Sequence, residues 1–239
     1  MAKAHEVWTV LEHGPLEQLA ENLWFVWGTL PSMSLKRNMV VARLQSGDLV
    51  IHNPIALDEG SMKQLESFGE PAVLVAPSGF HRLDSKIYKD RYPKAKIVAP
   101  RGSRKLVEEV VPVDLVMDEY SSVDPCVLFE RLDGVGDKEG VMLVRSSDGL
   151  TLVFNDVIFN MDKKTDFMGY LFTTLLGSAP GPRVSRLTKW TIIKEKKALR
   201  AQLERYAARE DLVRVIVAHE KVARGPDARR ALEQAMTYL

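Results

Sequence analysis

The stretch Ala72-Val-Leu-Val-Ala-Pro-Ser-Gly-Phe-His81 decides how this chain is read. Ala72–Ala76 is a short, continuous apolar run, the pattern of a strand buried on both faces. It passes through Pro77-Ser-Gly-Phe80 and arrives at a histidine. The same arrangement occurs twice more. Thr151–Phe154 leads to Asp156, in Leu152-Val-Phe-Asn-Asp-Val-Ile-Phe159, and Val213–Val217 leads to Ala218 and His219. Strand ends that deliver two imidazoles and a carboxylate to one rim build a polar site on an α/β scaffold. Two histidines and one carboxylate are also a workable ligand set for zinc or iron.

Outward from these strands the chain punctuates itself. Short aromatic-rich strands are expected over 6–12 and 22–30, turning at Gly14-Pro15. Met39–Leu44 and Asp48–His52 flank Gln45-Ser46-Gly47 and read as a hairpin. A helix with apolar Met62, Leu65 and Phe68 follows, capped by Ser61 and stopped at Gly69. A helix over Leu83–Arg91, a strand over Lys96–Ala99, a helix from Gly102 to Val111 and a short strand at Leu115–Met117 come next. Val127–Leu132, Gly140–Arg145 and Leu150–Phe154 make three strands, the last two joined by Ser146-Ser-Asp-Gly149. From Met161 to Trp190 the apolar spacing is mixed, which predicts a helix and then a loop lying over the strand-end rim. Lys194–Glu210 is amphipathic, with Leu199, Leu203 and Tyr206 on one face. A buried strand at Val213–Ala218 and a final helix striped by Ala228, Leu232, Ala235 and Leu239 complete the chain. A β-rich first half followed by strand–helix alternation predicts one α/β domain over 1–239 with two sheets.

The bulk composition sets limits. The chain has 239 residues, 46% hydrophobic and 27% charged, with 33 Lys and Arg against 32 Asp and Glu. That balance gives no global pull toward nucleic acid or an acidic membrane. Cys126 is the only cysteine, so no intramolecular disulfide forms; it reads as a small buried hydrophobe in a reducing compartment. The N-terminus lacks a basic region followed by an apolar run, and no apolar stretch approaches the roughly 20 residues of a membrane span. A cytoplasmic protein without nucleic-acid or membrane partners is expected. Ser78 lies in Ala-Pro-Ser-Gly-Phe rather than Gly-x-Ser-x-Gly, which argues against a serine hydrolase. The basic clusters Arg183–Lys189 and Lys194-Glu-Lys-Lys197 read as solvated helix faces. Trp8, Trp24 and Trp27 read as core or, if exposed, as the interface of a homo-oligomer.

This string of elements resembles the metallo-β-lactamase superfamily from about Met39 to the C-terminus. The likeness is clearest at Gly47-Asp-Leu-Val-Ile-His52, the helix after it and Ala72–Pro100. The resemblance implies a four-layer αββα sandwich of two mixed β-sheets flanked by helices. In that superfamily a strand like Ala72–Ala76 ends in a His-x-His-x-Asp-His loop. Counting back from Arg91-Tyr92-Pro93, His81 falls on the last histidine, and the other ligand positions become Ala76, Ser78 and Phe80. The next family histidine falls on Asp137 in Gly136-Asp-Lys-Glu-Gly140, the bridging aspartate on Asp156 and the late histidine on His219. The chain is similar to a branch with a degenerate metal motif that shares Asn155-Asp-x-x-Phe-Asn160 and the Ala-His ending. That branch supplies a fold and no substrate.

The resemblance thus implies at most one divalent metal, zinc or iron, or none. His81, Asp156 and His219 are its candidate ligands, leaving an open position at which water is activated against a small ester, thioester or phosphoester. The alternative is the same fold kept as a catalytically inactive binding or scaffold module for a small ligand. Around the three ligands stand further candidates. Asp84 follows His81 by three residues, either facing the rim or as a solvated carboxylate at a helix N-terminus. Asp137 and Glu139 offer a fourth ligand or belong to a glycine-rich turn. His52 ends a strand where the superfamily keeps a supporting aspartate, and so is either a support for a ligand or an ordinary strand exit.

Overall fold

Alternate residues along the strands face two different cores, and that alternation stacks the chain into layers. In the strand Met33–Arg43, Met39 and Val41 pack with helical Met62, Leu65 and Tyr88. Val40 and Ala42 point the other way, toward Met142, Val144, Val153 and Ile216 of a second sheet. In the strand Gly149–Val153, Leu150 and Leu152 meet Leu199, Leu203 and Leu232 of the helices beyond it. Three cores between four layers give an αββα sandwich, as the resemblance implies.

The computed structural model describes residues 3–120 and 124–239. The first sheet opens with β1 (Glu17–Ala20), β2 (Leu23–Leu30), β3 (Met33–Arg43) and β4 (Leu49–His52), an antiparallel meander. Helix α1 (Glu59–Phe68) then leads to β5 (Pro71–Val75), α2 (Ser85–Arg91) to β6 (Lys96–Ala99), and α3 (Arg104–Glu108) to β7 (Leu115–Val116). These crossovers make β4 to β7 parallel. The second sheet holds β8 (Val127–Arg131), β9 (Gly140–Ser146) and β10 (Gly149–Val153). After α4 (Phe167–Tyr170), a π turn (Leu171–Leu175), α5 (Arg186–Thr191) and α6 (Lys196–Ala207), β11 (Leu212–Ile216) lies parallel to β10. Strand β12 (Ala223–Arg224) closes that edge and α7 (Pro226–Met236) covers the sheet.

Several local readings are corrected. Residues 6–12 form no strand. The hairpin turns at Glu21-Asn22, and Gly14 instead lies under the Trp27 indole, where a Cβ would come within 2.4 Å of the ring. The cap of α1 is Asp58, not Ser61: its extended backbone lets the carboxylate accept from the Ser61 N–H at 2.9 Å. The segment expected to be loop after residue 176 contains α5, capped by Ser185, whose hydroxyl accepts from Thr188 N. Cys126 is half-buried rather than core. Trp8, Trp24 and Trp27 are also half-buried, Trp24 stacked on Phe68 and Trp27 under the Lys36 ammonium.

Candidate metal centre

The register of the second sheet sets two of the three residues side by side. Val153 of β10 pairs with Ile216 of β11, and Asp156 and His219 each lie three residues beyond that pair. Parallel strands leave the sheet in the same direction, so equal offsets arrive at the same rim. His81 comes from the first sheet, six residues past Val75 at the end of β5. The two sheets are tied where these tips meet: Asn38 of β3 donates its backbone N–H to Ala218 O and its amide to Val217 O, both at 2.8 Å.

His81, Asp156 and His219 each offer one ligand atom within 4.8 Å of the others; among the described residues they form the one such group of three or more. His81 Nε2 lies 3.1 Å from both oxygens of Asp156, and His219 Nε2 lies 3.4 Å from Asp156 Oδ1. The imidazoles meet edge to face at 5.1 Å, and Phe159 stacks on His219. Burial alone would raise the Asp156 carboxyl. The two histidines outweigh it and hold the group well below the usual carboxylate range.

The surroundings orient this group. His219 Nδ1–H donates to the Lys36 carbonyl at 2.8 Å. In the neutral imidazole that bond leaves the Nε2 lone pair facing a carboxylate oxygen, an arrangement that calls for a cation between them: a proton or a metal ion. The donor set therefore fits a divalent ion. Thr188 Oγ1 donates to the Asp156 carbonyl at 2.8 Å. Glu139 braces the Asp156 loop from its far side, accepting from Val157 N at 3.0 Å and Asn155 Nδ2 at 3.3 Å. Burial, and then the charge of Asp156, push the Glu139 carboxyl well up. A cavity of about 260 Å³ opens on the group, with an apolar lining that includes Leu30, Met33, Leu35, Phe172, Leu187 and Ile192.

The other sequence candidates sit apart from this group. Asp84 neither faces the rim nor is solvated. It is fully buried, 2.6 Å from Arg37 Nη2 and from His5 Nδ1, and it accepts from Ala56 N. A buried carboxylate is stable only with such partners, and the cation that supplies them stands 47 residues earlier in the chain. Asp137 occupies a positive-φ turn and pairs with Arg131. His52 is buried at the end of β4 with Nε2 lacking a partner among the described residues. Burial, and then the charge of His81, lower it to about 3. Of the positions that carry ligands in the superfamily motif, Ala76 is buried, Ser78 Oγ accepts from Phe80 N, and Phe80 is exposed. Sequence reasoning missed Arg37, Thr188 and the Lys36 carbonyl. Only Thr188 had a signal, its spacing from the cap Ser185.

No family model and no curated protein matches this chain. Solved structures do. A DIM-1 metallo-β-lactamase exposed to ceftazidime superposes with a TM-score of 0.65 at 15% identity, covering 96% of this chain and 97% of its own. FIM-1 from Pseudomonas aeruginosa, a metallo-β-lactamase in its mono-zinc form, gives 0.61 at 14% identity, covering 94% of both chains. The enzyme from Pontibacter korlensis gives 0.58 at 9%, covering 93% of this chain and 96% of its own. At such identity the likeness speaks for backbone architecture, and with the layers and strand order described above it establishes that this chain has the metallo-β-lactamase fold.

Proposed function

We propose that the protein is a hydrolase-like metalloprotein holding one divalent ion through His81, Asp156 and His219. The observation that carries this reading is the convergence of three strand ends from two sheets on one 4.8 Å cluster. An ion held there supplies Lewis acidity and lowers the pKa of water. The chain's own residues do the rest. The Lys36 carbonyl keeps His219 Nε2 turned inward, and Thr188 and Glu139 fix the loop that presents Asp156. The apolar cavity wall excludes bulk water and holds the non-reacting part of a small ester, thioester or phosphoester. Support for a single ion comes from the loss of the other ligand positions. The similar FIM-1 enzyme has a mono-zinc form. The test is metal analysis of protein purified without chelator: about one equivalent per chain, lost in His219→Ala, is expected. No metal in either protein refutes the reading.

One observation favours a second reading, a binding module without turnover. Asp156 already has both histidines as hydrogen-bond partners, so the cluster is satisfied by protons alone. Metal-loaded protein that turns over no ester, thioester or phosphoester while binding small apolar ligands would establish it.

A further inference from the structure

The segment that walls the cavity has an outer face unlike the rest of the surface. Residues 183–197 contain six lysines and arginines and one acid, Glu195, in a chain whose total charge is +1. Elsewhere most of the cations are paired, among them Arg91, Arg101, Arg104, Arg131, Arg205 and Arg209, each on a carboxylate. Among the described residues, none of Arg183, Arg186, Lys189, Lys194, Lys196 and Lys197 has a carboxylate oxygen within 4 Å, although acidic residues nearly equal basic ones in the chain. The cations are close enough to act on one another. Partial burial, and then the charges of Lys196, Arg183 and Arg186, push the Lys189 ammonium down.

Exposed apolar side chains accumulate on α4 and the π turn beside this segment, where Asp166 is the acid that caps α4, and at Trp190 within it. Five of the nine large exposed hydrophobics among the described residues are Phe167, Met168, Tyr170, Leu175 and Trp190, with Phe167 82% and Trp190 75% exposed. They adjoin the cations directly. Arg186 Nη1 donates to Leu175 O, and Arg186 N to Leu176 O. Arg186 and Trp190 are four residues apart on α5, hence on one face. Leu187 and Ile192, from the inner side of that segment, line the cavity.

We propose that this face, built from α4, the π turn and α5, docks on an anionic lipid surface. Unpaired cations beside exposed aromatic and aliphatic side chains match anionic headgroups over an acyl layer. A second copy of the chain across a two-fold axis would set these cations against themselves. A single-stranded nucleic acid would stack on Phe167, Tyr170 and Trp190 but offers nothing apolar to Met168 and Leu175. Surface attachment needs no spanning segment, and no helix of the described residues is long and apolar enough to cross a membrane. The proposal is independent of whether the His81 cluster holds metal.

Co-sedimentation of the full chain with phosphatidylcholine vesicles, with and without phosphatidylserine, tests it. Binding is expected only to the anionic vesicles and is expected to fall at high salt. Arg186→Glu with Lys189→Glu should weaken it at least about tenfold. Trp190→Ala, a surface change that spares the fold, should weaken it about tenfold. Both variants should keep the wild-type circular dichroism. Absence of binding, equal binding to uncharged vesicles, or variants that bind as wild type overturn the proposal. So does tight binding of a single-stranded oligonucleotide without vesicle binding, or a dimer in solution that Trp190→Ala dissociates.

Discussion

Arg37 and Asp84 form an ion pair at 2.6 Å with both side chains shut off from solvent. Arg37 also lines the cavity, so its charge is already neutralised where a ligand would meet it. Removing one member of a buried pair leaves an uncompensated charge, at a cost of roughly 3–5 kcal/mol. Asp84→Asn is therefore expected to lose about that much in urea unfolding. Asp84→Asn with Arg37→Met should recover part of it. A loss below about 1 kcal/mol for the single variant would contradict the pair's structural role.

His52 predicts acid sensitivity. Its folded-state value lies near 3 against 6.5 in the unfolded chain, because of burial and then the charge of His81. Between those values the unfolded chain binds a proton that the folded chain refuses. The stabilising contribution is complete above about pH 6.5 and is lost as pH falls toward 3, at up to roughly 1.4 kcal/mol per pH unit. His52→Gln should flatten that part of the stability–pH curve. Parallel curves for the two proteins would refute the assignment.

Glu139 has the opposite sense. Its carboxyl is pushed above 4.5 by burial and then by Asp156, so the folded chain keeps a proton that the unfolded chain releases. Stability from this group is greatest below about pH 4.5 and declines as pH rises through the folded value. Asn155 Oδ1 is buried without a partner among the described residues, and exchanging the two ends of that amide would let it accept from the Glu139 O–H. Glu139→Gln preserves these contacts without titrating. Its stability relative to wild type is expected to rise between pH 4 and pH 8, measured by chemical denaturation; a constant difference would exclude a protonated Glu139.

The apolar strands and their endings were legible because period-2 patterning and strand length are local properties. That legibility extended to His81, Asp156 and His219, since each stands a fixed few residues past an apolar run. What stayed hidden was non-local. Asp84 looked like a helix-start carboxylate because nothing near it in sequence announces Arg37 or His5. The cap of α1 was misplaced because Asp58 and Ser61 are both good caps and only the backbone entering the helix chooses between them. Helix α5 was missed because its polar outer face, carrying Arg186 and Lys189, is interrupted by an exposed Trp190. Its inward-facing Leu187 lines the cavity and its Thr188 donates to the Asp156 carbonyl, on another segment.

The three-residue centre makes a prediction that separates it from its neighbours. A ligand that binds only the folded chain stabilises it by about 2.7 kcal/mol when present at a hundred times its dissociation constant. For a chain of this size that corresponds to a rise of roughly 5–10 °C in Tm. Zinc titrated into metal-free protein is expected to produce such a rise. His81→Ala, Asp156→Asn and His219→Ala should each abolish it, because three ligands are the fewest that hold the ion and each variant leaves two. Asp137→Asn should keep the full response, since Asp137 is engaged with Arg131 and stands outside the cluster. Differential scanning fluorimetry reads all five proteins in one experiment. A zinc response that survives His219→Ala but disappears in Asp137→Asn would move the centre to the glycine-rich turn at 136–140 and refute His81, Asp156 and His219 as the ligands.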